Sequence, residues 1–394
     1  MGRAFCIGVG LIIASIQVHA TEGYELIGLG PLQKGVAGAG AASGEDSSWM
    51  LLNPAAIASI ESRADFYVDV ILPTAELEPD GLIANPFAGD MSFSDIKFAP
   101  GGGAIWKKGK WTFGAGLYGI GGDSADFERS RTILTLLSNA DRRAEILIAE
   151  APFTVAREFD NGWSIGASLI GAAIRFRTDT LTLSLRPTEG ENEWDTSVGV
   201  GFNAGIIKKW KRFALGLSYH SRTAMTDLDR YDDLIVFHLD LPEKFRAGVA
   251  VDVTKKLELL LDYKRINWSD VAQQGKPPIQ NGLGWKDQHI YKIGLRYKLN
   301  DKWKLRAGFS DGNSPVPDGG VFINSIFPAL SNEHISAGVT YAAKDNLDVH
   351  FSASHAFRNQ GVDDGRGGIF SLLGRGTRSS LEVTSFQFGA SYKF

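Results

Sequence analysis

The chain has 394 residues, 41 Lys+Arg against 45 Asp+Glu, and a formal charge of −4. That balance excludes the basic domain or stripe a nucleic-acid partner calls for, and 22% charged with 44% hydrophobic residues excludes a disordered chain. Glycine is abundant at 46 residues and the single cysteine is Cys6, leaving two or three domains or one large β structure.

The first 20 residues read as a signal peptide. Gly2-Arg3 gives a short positive start, Ala4 to Ile16 an apolar run, and Val18-His19-Ala20 a small-residue cleavage site, so residues 1–20 are expected to be removed before Thr21. The apolar run is shorter than the ~20 residues that span a bilayer as a helix. Cys6 leaves with it, so no disulfide framework and no cysteine metal site is expected. No later segment has the apolar length of a membrane-spanning helix.

Residues 21–61 carry Gly28, Gly30, Gly35, Gly38, Gly40 and Gly44, followed by Trp49-Met50-Leu51-Leu52-Asn53-Pro54-Ala55-Ala56. No G-x-G-x-x-G and no Gly-Lys-Ser/Thr occurs there, so a nucleotide loop is not supported. A compact, turn-rich segment with close backbone approach fits better.

From residue 62 onward the sequence alternates with a period of two. Between His289 and Leu299 the odd positions are apolar or aromatic, and the even positions are mostly small or cationic. Successive side chains of a strand point to opposite faces, and ~9–11 residues suffice for a tilted strand to cross a membrane. The pattern predicts strands near 62–72, 98–107, 110–122, 145–158, 163–177, 194–209, 213–226, 235–253, 257–268, 287–299, 303–312, 332–343, 347–357 and 379–394. Short turns such as Lys108-Gly109-Lys110 and Asn300-Asp301-Lys302 alternate with long loops. The expected fold is all-β: a 14-stranded antiparallel transmembrane β-barrel, residues 62–394, monomeric and held in outer-membrane lipid and lipopolysaccharide. Its final strand places Phe386, Phe388, Ala390, Tyr392 and Phe394 on one face. That ending resembles the signal read by the barrel assembly machinery, an expected partner through Phe394.

Fourteen strands enclose more space than side chains alone fill, since ~8 strands already reach that limit. Residues 21–61 are the natural N-terminal hatch; without one the chain would be a general porin. The long loops carry apolar groups suited to a hydrophobic small molecule: Ile133, Leu134, Leu136 and Leu137 in an expected amphipathic helix, then Val321-Phe322-Ile323 with Ile326-Phe327, and Ile369-Phe370 with Leu372-Leu373.

The Gly-rich N-terminus with Asn53, Pro54 and Ala55 resembles the hatch of the FadL-type outer-membrane transporters. Further matches follow in order at Asn203-Ala204-Gly205-Ile206, Leu241-Pro242-Glu243, Gly284-Trp285-Lys286-Asp287 and Ser314-Pro315-Val316-Pro317. The resemblance implies passive uptake of long-chain fatty acids or other hydrophobic molecules, with hatch rearrangement and sideways exit through the wall. It implies a gate at a kink in the third strand, here Gly119, Gly121 and Gly122. Fatty-acid-transporting members hold the carboxylate with basic residues, and the matching positions here are Thr180 and Asn281. Arg175, Arg177, Arg186, Lys276 and Lys286 lie nearby as substitutes, which leaves a neutral aromatic or alkane cargo open.

No cofactor and no metal is called for. Enzymatic arrangements are absent from the sequence: there is no G-x-S-x-G or H-E-x-x-H. His350 and His355 fall on opposite strand faces, and the other histidines are scattered singly.

Overall fold

A computed structural model describes residues 22–82, 91–127, 142–179, 188–325 and 327–394. Among them fourteen long strands pair antiparallel in chain order. These are β1 Arg63–Glu78, β2 Lys97–Lys108, β3 Trp111–Phe127, β4 Arg142–Glu158, β5 Trp163–Thr178, β6 Asp195–Lys209 and β7 Phe213–His220. They continue as β8 Lys244–Asp252, β9 Leu257–Ile266, β10 Gln288–Lys298, β11 Trp303–Gly312, β12 His334–Lys344, β13 Leu347–Val362 and β14 Arg378–Lys393. β14 returns to β1 along its whole length, from Arg63↔Lys393 to Glu78↔Arg378. That pairing closes the barrel and removes its edges.

Strand β10 shows why this sequence makes such a wall. Gln288, Ile290, Lys292, Gly294 and Arg296 face inward and are buried, while Tyr291, Ile293, Leu295 and Tyr297 face outward. The outer belt is large and apolar, with Phe153 at 60% and Tyr291 at 62% exposure, a surface that suits hydrocarbon rather than water. Aromatic pairs sit at the short-turn end, including Trp210 with Phe213 at 4.5 Å and Trp303 with Tyr341 at 4.6 Å between ring centres.

The departures from the expected strands have local causes. β1, β3 and β13 run on to Glu78, Phe127 and Val362, beyond the expected ends at 72, 122 and 357. A short strand Met91–Ser94 pairs with the top of β1, where only loop was expected. The strand expected over 213–226 stops at His220 and resumes as Ala224–Met225, because the Ser221 hydroxyl accepts the Phe202 amide 2.9 Å away. The one expected from 235 starts only at Lys244, just past Pro242, which lacks an N–H for the ladder.

Residues 22–61 lie inside the barrel, almost wholly buried, with short helices over Gly30–Lys34 and Trp49–Leu52 and a 3₁₀ turn over Pro54–Ser59. The Asn53 side-chain oxygen accepts the Ala55 amide at 3.1 Å, and Pro54 takes the first helical position where its missing N–H costs nothing. The Asn53 amide donates to the Ala41 carbonyl at 2.6 Å, tying the turn to the Gly-rich stretch before it. From the wall, Asn203 donates to the carbonyls of Met50 (3.2 Å) and Leu51 (2.9 Å), and Ser218 to that of Leu52 (2.7 Å). These bonds satisfy helix-end carbonyls that would otherwise be buried unpaired. Gly205 makes room for the turn: a Cβ there would lie 1.9 Å from the Asn53 side-chain oxygen.

Gly205→Ala should therefore loosen the hatch without opening the barrel, at a cost of about 1–3 kcal/mol from overpacking. Limited proteolysis of the purified protein should show faster cleavage within 22–61, while the heat-resistant barrel band in electrophoresis is unchanged. Unaltered cleavage would show that the Asn53 turn does not depend on this close approach.

Candidate functional site

The wall's ladder shifts register at three places among the described residues, at Ala342/Lys344, at Ala356/Asn359 and in β3, and the one in β3 faces the hatch. β2 pairs with β3 only from Lys108↔Trp111 to Gly101↔Tyr118, while β4 follows β3 up to Phe127. The β3–β4 register shifts between Gly119 and Gly121, a bulge centred on Ile120. Above Tyr118, β3 thus lacks β2 as a ladder partner among the described residues. Beside the separated strands lies a cavity of about 100 Å³, lined by Phe93, Asp95 and Lys97, by Ser124 to Asp126, and by Arg143 and Glu145 of β4 and Arg177 of β5.

The hatch supplies the missing pairing. Residues 22–25 form a tight hairpin, with Glu22 and Glu25 exchanging backbone hydrogen bonds at 3.0 and 3.2 Å. The Leu26 amide then donates to the Ile120 carbonyl at 2.9 Å, and the Gly122 amide to the Tyr24 carbonyl at 2.8 Å. Such an approach is possible only at a glycine: a Cβ on Gly121 would lie 2.1 Å from the Tyr24 carbonyl oxygen.

Across the lumen the same hairpin meets cations on three adjacent strands. Lys244 of β8 pairs with Glu25 at 2.6 Å, Lys264 of β9 with Glu22 at 2.6 Å and Glu25 at 2.8 Å, and Lys292 of β10 with Glu22 at 2.5 Å. Burial pulls both carboxyls upward, but the lysine charges outweigh it and hold them below the ordinary carboxylate range. These residues border a cavity of about 50 Å³, also lined by Glu150, His220, Arg246 and Asp262. Its size suits a few waters and excludes a hydrocarbon chain.

Toward the loop end, Tyr24 packs against Trp268 at 4.7 Å and Trp285 at 5.7 Å between ring centres, and its hydroxyl accepts the Gln274 amide at 3.0 Å. Trp285 donates to Asn324 at 2.7 Å, and the Lys286 amide to the Pro315 carbonyl at 2.8 Å. The hairpin thus touches the outer loops, the lysine wall and the bulge of β3 together.

The residues singled out by sequence fall into separate places. Gly119, Gly121 and Gly122 lie at the bulge, and Asn53, Pro54 and Ala55 form the hatch turn. Phe322 is buried among the loops, its amide donating to Asp363 at 2.9 Å. Phe327 stacks 6.2 Å from Phe176, which meets Tyr231 edge-on at 5.0 Å. Arg175 and Arg177 both lie over Trp194 at 4.6 Å, and Arg177 also pairs with Glu145. Lys286 and Asn281 are exposed loop residues, and Lys276 lies over Phe237 at 3.8 Å. Ile133, Leu134, Leu136, Leu137, Thr180, Arg186 and Ile326 lie outside the described residues. Sequence reasoning did not single out Glu22, Glu25, Lys244, Arg246, Lys264 and Lys292. The cations at inward positions of β8, β9 and β10 were the available signal.

A second hatch carboxyl behaves differently. Asp46 is pushed up to about 7, first by burial and then by the nearby Asp65 charge, despite hydrogen bonds from Ser48. The folded hatch thus holds this proton more tightly than the unfolded chain, whose value is 3.8, and docking weakens as pH rises between the two. Glu22 and Glu25 have the opposite sign, and their contribution is complete above 4.5 and lost as pH falls below it. Between pH 5 and 8, of these three hatch carboxyls only Asp46 should change its contribution. Amide exchange around residues 44–50, corrected for intrinsic rate, should be slower at pH 5 than at pH 8, and Asp46→Asn should remove the difference. Equal protection at both pH values in the unmodified protein would count against it.

The family model described as outer membrane protein transport protein (OMPP1/FadL/TodX) matches residues 29–394. The fold is similar to the toluene transporter TodX of P. putida, with a TM-score of 0.72 and 16% identity over 95% of this chain and 99% of that one. It is similar to a Pseudomonas aeruginosa FadL homologue, with a TM-score of 0.72 and 16% identity over 94% and 100%. The Ralstonia pickettii toluene transporter TbuX gives 0.65 and 16% over 93% and 99%. No curated protein sequence matches. The structural likeness, at this identity, establishes the fold; with the family match over nearly the whole chain, it follows that this protein belongs to the OMPP1/FadL/TodX family of Gram-negative outer-membrane transport barrels.

Proposed function

We propose that the chain is a passive channel for small hydrophobic molecules, which bind among the outer loops and leave sideways through the wall between β2 and β3. The observation that carries this reading is the pairing of Tyr24 and Leu26 with Ile120 and Gly122. The hatch segment standing in for a wall strand is joined to β3 by two backbone hydrogen bonds, and its withdrawal would open the ladder where β2 has already departed. The small cavity beneath the hairpin supports the same conclusion, because no hydrocarbon passes unless the hatch moves.

The apolar loop residues Phe322 and Phe327 belong to the outer binding region in this reading, with Ile133, Leu134, Leu136, Leu137 and Ile326 as its further members. Arg175, Arg177 and Lys286 lie at the loop end, where they would draw in an acidic cargo. Long-chain fatty acids are the favoured cargo. Neutral hydrocarbons are the second reading, supported by the names of the two toluene transporters with this fold.

The test is a reversible tether across the gate. Leu26→Cys with Ile120→Cys, in a Cys6→Ser background, joins opposed positions of the hatch and β3. Cells lacking their own transporter but expressing the unmodified chain should take up labelled oleate or labelled toluene. The oxidised tethered protein should lose at least nine-tenths of that uptake, a rise of about 1.4 kcal/mol or more in the effective barrier, and a reductant should restore it. Full uptake through the oxidised tether would overturn sideways exit, and free passage of small sugars with neither labelled compound entering would leave a general porin.

A further inference from the structure

The charges around the hairpin carry a conclusion about how it is released. Apart from the hairpin, the cavity wall holds Lys244, Arg246, Lys264 and Lys292 against the carboxylates of Glu150 and Asp262. Four cations then face two anions, and Glu22 and Glu25 bring the account to neutrality. The hydrogen bonding of this wall is incomplete on both sides. Nη1 of Arg246 is buried without a hydrogen-bond partner among the described residues, and so is Nδ1 of His220, a side chain only 1% exposed. Glu150 Oε1 and Asp262 Oδ1 are also without hydrogen-bond partners among the described residues.

Moving the hairpin away would strand three ammonium groups whose buried partners had been removed, each such loss being worth several kcal/mol. Withdrawal of the hairpin alone therefore leaves a wall with excess positive charge. We infer that Glu22 and Glu25 are an internal counter-anion for the wall formed by Lys244, Lys264 and Lys292, and that an anionic amphiphile releases the hatch by exchanging its headgroup for them. The hydrocarbon tail would bring the headgroup to the wall, and the headgroup would supply the charge that the departing hairpin withdraws. A neutral molecule of the same shape meets the same apolar surfaces but leaves the lysines uncompensated. This rests on the transport reading above and deepens it by naming what opens the hatch.

The unmodified full-length protein, purified in detergent, is titrated with decanoate and with decanol, which share a chain length and differ in charge. Decanoate should raise amide exchange at residues 24–26, and decanol should not. Glu22→Gln with Glu25→Gln removes the competitor, so decanoate should bind about tenfold more tightly while decanol is unchanged. Lys264→Met with Lys292→Met should abolish the preference for decanoate over decanol. The heat-resistant barrel band reports folding of each variant. Equal exchange with both probes in the unmodified protein, or unchanged decanoate affinity in the folded glutamine variant, would overturn the exchange mechanism while transport stands. Binding of neither probe to the unmodified protein, with no uptake by cells, would overturn the transport reading and this inference together.

Discussion

The structure depends on neutralising charge inside a wide barrel. Inward positions of β8 to β11 carry Lys244, Arg246, Lys264, Lys292, Arg296 and Arg306, and a lumen of this width cannot bury them against one another. Hatch carboxylates meet all of these but Arg246. Glu22 and Glu25 meet the three lysines, Glu45 lies 3.0 Å from Arg296 and 2.9 Å from Arg306, and Asp262 accepts the amides of Gly40 and Ala41 at 2.8 Å each. On the opposite wall the polarity reverses, with hatch Lys34 paired to Asp69 and donating to Ser385 at 2.8 Å. Apolar burial of Trp49, Met50, Ile57 and Val36 drives the segment inward but has no direction. The ion pairs give it a single seat.

That seat explains why the weak place in the wall falls where it does. The ladder between β2 and β3 ends at Gly101↔Tyr118, just before Pro100, a residue with no amide hydrogen to continue it. The β3 bulge at Ile120 turns the unpaired carbonyl and amide inward. A hairpin already anchored by lysines on the far wall is placed to accept and donate them. Wall defect and hatch anchor are therefore two ends of one strut, and a change at either end is felt at the other.

Much of this architecture was legible from alternation alone. The outward faces of β10 and β11 are written plainly as Tyr291, Ile293, Leu295 and Trp303, Leu305, Phe309, because lipid selects for size and apolarity at every second position. Strand ends at the loop side were less legible. There β1, β3 and β13 continue past the membrane, where nothing imposes apolar alternation, and Pro242 stopped one expected strand early. The hatch turn was visible as Asn53-Pro54, but its dependence on Asn203 and Gly205 was not, since those contacts join residues some 150 positions apart. The lysine wall was hidden for the same reason. A cation on an inward strand face reads as ordinary lumen solvation until the segment opposite it is known to carry Glu22 and Glu25. Arg175, Arg177 and Lys286 drew attention instead because they stood near the positions the family resemblance indicated.

The position of the gap also bears on what kind of molecule could use it. Outside the separation of β2 and β3 the wall presents Ile96, Phe98 and Leu117, all about half exposed toward the surrounding lipid. A passage there opens into hydrocarbon, so a sugar or an ion would gain nothing by taking it and would lose its hydration. A hydrophobic chain would gain at the membrane side of such a passage, at roughly 25 cal/mol for each Å² kept from water. The polar obstacles on that path among the described residues include the hairpin with its glutamates and lysines and the charged lining of the cavity beside the gap, Asp95, Lys97, Asp126, Arg143, Glu145 and Arg177. Selectivity in such a barrel would then reside less in a fitted pocket than in the contrast between a greasy exit and a charged bolt. Under the proposed exchange, a cargo that crosses would have to prefer the first and be able to draw the second.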